Sequence, residues 1–213
     1  MTKPDLTQGT AVVTANRFNP SVLSQIWFVK NGITGENDFG PTSILSPEFV
    51  QIGTTNFNLF CTAEHLQFAP VGETSTWGKL TRETLGKILQ TLPHTPFTAI
   101  GLNFIWRIRL NEGREGESLR QAFAGSSSVY RHFQEPNARF GAYLSKDYNG
   151  MRMRLTTLPT SKDGGESLSM TFNFHRALGE KPVEEMLGVL TKWDDALEYS
   201  RLLCDEVQGG IDK

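Results

Sequence analysis

Four histidines, two cysteines, three adjacent carboxylate pairs and one run of serines are the residues of this 213-residue chain best suited to acid–base, metal or nucleophilic chemistry. His65, His94, His132 and His175 have no His, Cys, Asp or Glu partner at the short spacings that metal sites use, so no metal set is assigned. Cys61 and Cys204 fall in phase with apolar neighbours and read as small buried hydrophobes, because a reactive thiol needs an exposed, electropositive setting. Glu184-Glu185, Asp194-Asp195 and Asp205-Glu206 lie on one helical stretch, where adjacent side chains point about 100° apart. General acid–base work needs convergent carboxylates with separated pKa values, so solvation is the better account of these pairs. Ser126-Ser127-Ser128 follows Gly125 without the Gly-x-Ser-x-Gly elbow, and neither a Walker loop nor a dinucleotide fingerprint occurs. No catalytic, cofactor-binding or metal-binding residue is therefore nominated.

Charge is unevenly distributed. Residues 107–154 hold nine cationic and five anionic side chains, a net of +4, and residues 180–213 hold four and nine, a net of −5. Strand phase sets Arg107 and Arg109 opposite Phe104 and Trp106, and Arg152 and Arg154 opposite Met151 and Met153. If those strands are neighbours, their arginines, with Arg139, form a basic patch on an open sheet face. Such a face is either plainly solvated, a protein contact, or a polyanion site, since guanidinium suits phosphate. Few aromatics interleave with the arginines, which weakens a base-stacking platform.

The elements that would position these groups follow from periodicity. Residues 10–16 are β-prone. Asn19 as cap, Pro20 in the first turn and Gly32 at the end bracket a helix over Asn19–Asn31. A hairpin of 48–53 and 56–69 follows, the second strand changing phase at Glu64-His65 as a bulge would. Helix two spans Thr81–Leu92. The clearest strand is 97–110, where Ile100, Leu102, Phe104, Trp106, Ile108 and Leu110 hold every even position. The Gly/Glu-rich stretch 111–118 reads as a mobile loop and 118–124 as a short helix. Asn149-Gly150 joins strands 138–145 and 151–158, and a further strand covers 167–176. A single helix, Pro182–Val207, closes the chain at a length of about 40 Å. Its distal residues Tyr199, Leu203 and Val207 are candidates to reach a partner.

The expected fold is α+β: a predominantly antiparallel sheet of about six to seven strands, with helices on one face and a long C-terminal helix. The first half follows the ferredoxin-like β-α-β-β-α-β order and the second adds β-β-β. One domain over 1–213 is expected, with pseudo-halves 1–111 and 118–208 and a flexible tail at 209–213.

Three segments, FNPSVLSQIWFVKNGI at 18–33, AEHLQFAP at 63–70 and FTAIGLNFIW at 97–106, resemble a bacterial and phage-associated family with no assigned activity. That family has an Asn-Pro-Ser N-terminal helix and a Gly-x-Asn-Phe central strand. The resemblance carries over no catalytic residue. It implies a bacterial or viral source and an accessory role in a larger system.

Composition limits the remaining choices. A net charge of −2 does not suit a dedicated nucleic-acid coat, and two cysteines build no disulfide framework. No export signal is visible and no apolar run approaches the ~18–20 residues of a membrane span, so a cytoplasmic protein is expected. Three functions remain: a non-enzymatic interaction protein that self-associates or joins a protein complex, a polyanion- or RNA-binding module using the arginine face, and an enzyme with a site dispersed over loops.

Overall fold

The computed structural model describes residues 3–110, 115–123, 140–162 and 165–211. Arg139, His132 and Ser126–Ser128 lie outside them. Alternating buried and exposed residues build most of the protein into a mixed α/β fold with one antiparallel sheet. The elements in chain order are β1 (Asp5–Ala15), α1 (Gln25–Lys30), β2 (Ile44–Leu45), β3 (Val50–Gly53), β4 (Phe57–Cys61), β5 (His65–Pro70), α2 (Thr74–Leu80) and α3 (Gly86–Gln90). Then come β6 (Phe97–Arg109), α4 (Glu115–Phe123), β7 (Ala142–Tyr148), β8 (Met151–Lys162), β9 (Gly165–Ala177), α5 (Pro182–Leu190) and α6 (Trp193–Ile211). Hydrogen bonding orders nine strands as β2-β3-β4-β5-β1-β6-β9-β8-β7.

That order corrects the expected count of six to seven strands. The run expected as one bulged strand at 56–69 is a hairpin. Thr62 Oγ1 accepts from the backbone N–H of Glu64 (3.2 Å) and His65 (3.4 Å), and Thr62 N donates to His65 O (2.9 Å). A Thr side chain that satisfies local backbone donors favours a turn over a continued ladder. β4 therefore pairs antiparallel with β5, and β5 with β1. The extra strand makes β4, not β3, the strand that runs parallel to β1, with β5 between them and antiparallel to both. It leaves β3 and β2 outside β4 at the sheet edge.

The helices depart from expectation for equally local reasons. Asn19 Oδ1 does accept from Ser21 N (3.3 Å), but the turn it starts is a 3₁₀ piece, Pro20–Val22. Ser24 then caps a second start through Trp27 N (3.3 Å), so one expected helix becomes two short ones. The single closing helix is also divided. Thr191 Oγ1 donates back to Gly188 O (2.8 Å) and Lys192 N bonds Val189 O (3.0 Å), tightening the end of α5 before Trp193 opens α6. α6 runs on through the expected tail to Ile211, whose side chain is buried. Helix two begins earlier than the spacing predicts, at Thr74, and passes through a π-helical turn over Thr81–Leu85.

The chain divides into two compact units. The larger, here the N-unit, comprises Gly9–Asn103 and His175–Asp195. Its core includes Val13, Phe28, Ile52, Leu59, Leu66, Phe68, Leu85, Ile88 and Trp193, all nearly inaccessible to solvent. The C-unit comprises Met1–Gln8, Phe104–Phe174 and Ala196–Lys213. It buries Phe104, Trp106 and Ile108 from β6, Met151, Met153 and Leu155 from β8, Leu168, Met170, Phe172 and Phe174 from β9, and Ala196 and Cys204 from α6. Among the described residues no helix is long and apolar enough to cross a membrane.

Candidate functional site

The C-unit holds a groove of about 450 Å³ between the inner face of β7, β8 and β9 and the helices α4 and α6. Strand register places its wall. The Asn149-Gly150 turn has positive φ at both residues, 49° and 73°, the type I′ geometry whose twist suits a tight hairpin. It sets Leu144 opposite Leu155 and Lys146 opposite Met153. Those four side chains and Met170 form the sheet side of the groove. Phe123 of α4 and Tyr199, Leu203 and Val207 of α6 form the helical side.

Tyr199, Leu203 and Val207, the candidates to reach a partner, line this groove. They lie at i, i+4 and i+8, the spacing of one helix face. Lys146 is the polar group the sequence reading missed, although it continues the even-numbered phase of Ala142 and Leu144. Its ammonium lies 4.8 Å from the Tyr199 ring centroid and donates a hydrogen bond to Tyr199 Oη. Glu206 also lines the groove.

The arginines are spread more widely than a single patch. β9 separates β6 from β8, so the Arg107/Arg109 pair and the Arg152/Arg154 pair are two strands apart, at least about 10 Å across the sheet, and are offset along the strands as well. Arg109, Arg152 and Arg154 are exposed and Arg107 is half-buried. Arg152 bonds Asp147 Oδ1 (3.1 Å) and Ser145 Oγ (2.7 Å) on β7.

Most of the other described groups with chemical potential have local partners or are buried. His65 Nδ1 lies 3.3 Å from Thr62 Oγ1, and His94 is exposed. Burial pushes the Cys61 thiol up to about 12 and raises that of Cys204 further. Glu185 accepts from Gly179 N (3.0 Å) and pairs with Arg176 (3.4 Å), Glu184 pairs with Lys181 (3.4 Å), and Asp194 with Arg82 (2.8 Å). Asp205 and Glu198 both pair with Arg201, which holds the Glu198 carboxyl below the usual range chiefly by hydrogen bonding. Among the described residues, no group of three His, Cys, Asp or Glu side chains could hold a metal ion. The chain matches no family model, and no curated protein is significantly similar to it.

Proposed function

We propose that this chain is a non-enzymatic interaction protein that self-associates or serves as a subunit of a larger complex, with the C-unit groove as its contact surface. The observation that carries this reading is the groove lining itself. Phe123, Leu144, Met153, Leu155, Met170, Leu203 and Val207 converge on an open cavity of about 450 Å³. Leu144 remains 56% exposed at its margin. Unbranched methionines adapt to varied apolar shapes, a property of surfaces that receive partner side chains. The test is light scattering of wild type and a Leu144→Glu/Leu203→Glu variant, with a photo-cross-linker placed at Val207. Association that the double variant abolishes while circular dichroism stays native supports the reading. A strict monomer that cross-links to no protein in host lysate overturns it.

A second reading, polyanion binding, draws on Arg107, Arg109 and Arg154, which make no ion pair among the described residues. It requires binding to single-stranded RNA at about 50 mM salt that weakens steeply as salt rises, with each Arg→Gln change lowering the slope by about one. Salt-independent binding, or none at low salt, removes it.

A further inference from the structure

Among the described residues β7 is the last strand of the hydrogen-bonded order, and its geometry singles out which main-chain groups remain at that edge. In a two-residue hairpin the residues flanking the turn exchange hydrogen bonds, here Tyr148 and Met151. The alternation then turns the N–H and C=O of Tyr148, Lys146, Leu144 and Ala142 toward β8. Ala142 bears this out, its N donating to Thr157 Oγ1 (2.6 Å) and its O accepting from the same hydroxyl (3.3 Å). The N–H and C=O of Tyr143, Ser145 and Asp147 consequently point away from the sheet. Tyr143 and Leu144 are 65% and 56% exposed beside them.

We infer that this edge pairs with the β7 of a second copy, antiparallel about a two-fold axis through Ser145, to give a continuous intermolecular sheet. The inference rests on the interaction reading above and names its partner. Antiparallel neighbours must share a face, so only registers shifted by two residues compete. Centring on Ser145 is the register that pairs all seven residues of β7. It sets Tyr143 opposite the second copy's Asp147 on the outer face, and Leu144 opposite its Lys146 on the inner face. The centre at Lys146 would oppose two ammonium groups, and the centre at Leu144 leaves Asp147 and Tyr148 beyond the paired strand. Ser145 centring satisfies the outward groups with about six main-chain hydrogen bonds and opposes no like charges. It also covers Leu144 and brings two grooves side by side. An exposed strand edge carrying apolar side chains is a ready template for this pairing.

The register makes the test specific. Ser145 would face its own counterpart with Cα atoms about 5.5 Å apart, inside disulfide range. Tyr143 would lie about 14 Å from its counterpart along the strands. Under mild oxidation Ser145→Cys is expected to give a covalent dimer in high yield, and Tyr143→Cys at least ten-fold less. Wild type should scatter light as twice 23.8 kDa. Ser145→Pro removes the outward N–H, and with it the hydroxyl that accepts from Arg152 (2.7 Å), and should scatter as a monomer with unchanged circular dichroism. Ser145→Ala, which loses the hydroxyl alone, should still dimerise. Cross-linking that is equal at both positions, or missing at Ser145 in a protein that still dimerises, overturns the β7 register and leaves the groove reading standing. A wild type that stays monomeric at all concentrations overturns the β7 pairing even if the groove cross-links a different protein.

Discussion

The ring of Tyr199 lies on that of Tyr148, with centroids 4.2 Å apart and planes 16° from parallel. The pair ties the end of β7 to the middle of α6 at one wall of the groove. Tyr148 in turn meets Phe174 of β9 at 5.6 Å, so the stack continues into the core of the C-unit. The Lys146 ammonium also lies over the Tyr199 ring, 4.8 Å from its centroid. Aromatic pairs of this kind contribute about 0.5–1.5 kcal/mol beyond the area they bury.

Tyr199→Ala should therefore destabilise the protein by about 2 kcal/mol, the stack and part of the side-chain burial together. Tyr199→Phe keeps the stack and loses only an exposed hydroxyl bond, an effect of about 0.5 kcal/mol. Urea titration followed by far-UV circular dichroism separates the two. Equal effects would show that the hydroxyl, and not the ring, holds α6 to β7.

A second link between α6 and the sheet is buried and polar. Trp106 Nε1 donates to Ser200 Oγ (2.8 Å), and Ser200 Oγ donates onward to Leu197 O (2.7 Å). The hydroxyl thus both accepts and donates in a site shielded from water. Ser200→Ala leaves the indole N–H buried without its acceptor and should cost about 1–3 kcal/mol. Adding Trp106→Phe to that variant removes the stranded donor, so the double variant should lose less than the two single losses combined. Strict additivity in a double-mutant cycle would count against the bond.

The helical spacing of Tyr199, Leu203 and Val207 and the alternation of β6 and β8 were legible in the sequence because both depend on side-chain period alone. Their placement needed more. Lys146 sits in phase with Leu144, and only pairing with β8 shows that this phase faces a groove. The arginine patch assumed that β6 and β8 are neighbours, but β9 returns between them, a matter of strand order that periodicity does not encode. Turn chemistry decided the other misreadings. Thr62 splits an apparent strand, Ser24 competes with Asn19 as a cap, and Thr191 with Gly188 ends α5 inside a continuous apolar stripe. In each case one short side chain bonds its own backbone and overrides a longer periodic signal.

Gly9 of β1 tests close packing in the N-unit. A Cβ built there would lie 2.7 Å and 2.9 Å from ring atoms of Trp77 and 3.3 Å from the Trp193 ring. Trp193 is fully buried and cannot swing into solvent. Glycine in a strand interior ordinarily weakens it, so substitution by alanine would stabilise an open site. Here Gly9→Ala should destabilise by about 1–3 kcal/mol and alter the near-ultraviolet circular dichroism of the tryptophans. An unchanged or raised melting temperature would mean the two rings relax freely.

The two thiols give a pH prediction with a defined sign. Cys61 ionises near 9.0 when unfolded and near 12 in the fold, because burial disfavours the thiolate. The folded chain therefore retains a proton that the unfolded chain releases. Stability from this group is fully present below pH 9.0 and is lost progressively as pH rises toward 12. Cys204 acts in the same direction, with Asp205 adding to the effect of burial. Unfolding free energy measured between pH 8 and 11 should fall less steeply in Cys61→Ala than in wild type. In native buffer near pH 8 neither thiol should react with a disulfide reagent, and both should react in denaturant. Rapid native labelling would show that one of these cysteines opens to solvent, and would place its burial in a locally unfolding part of the chain.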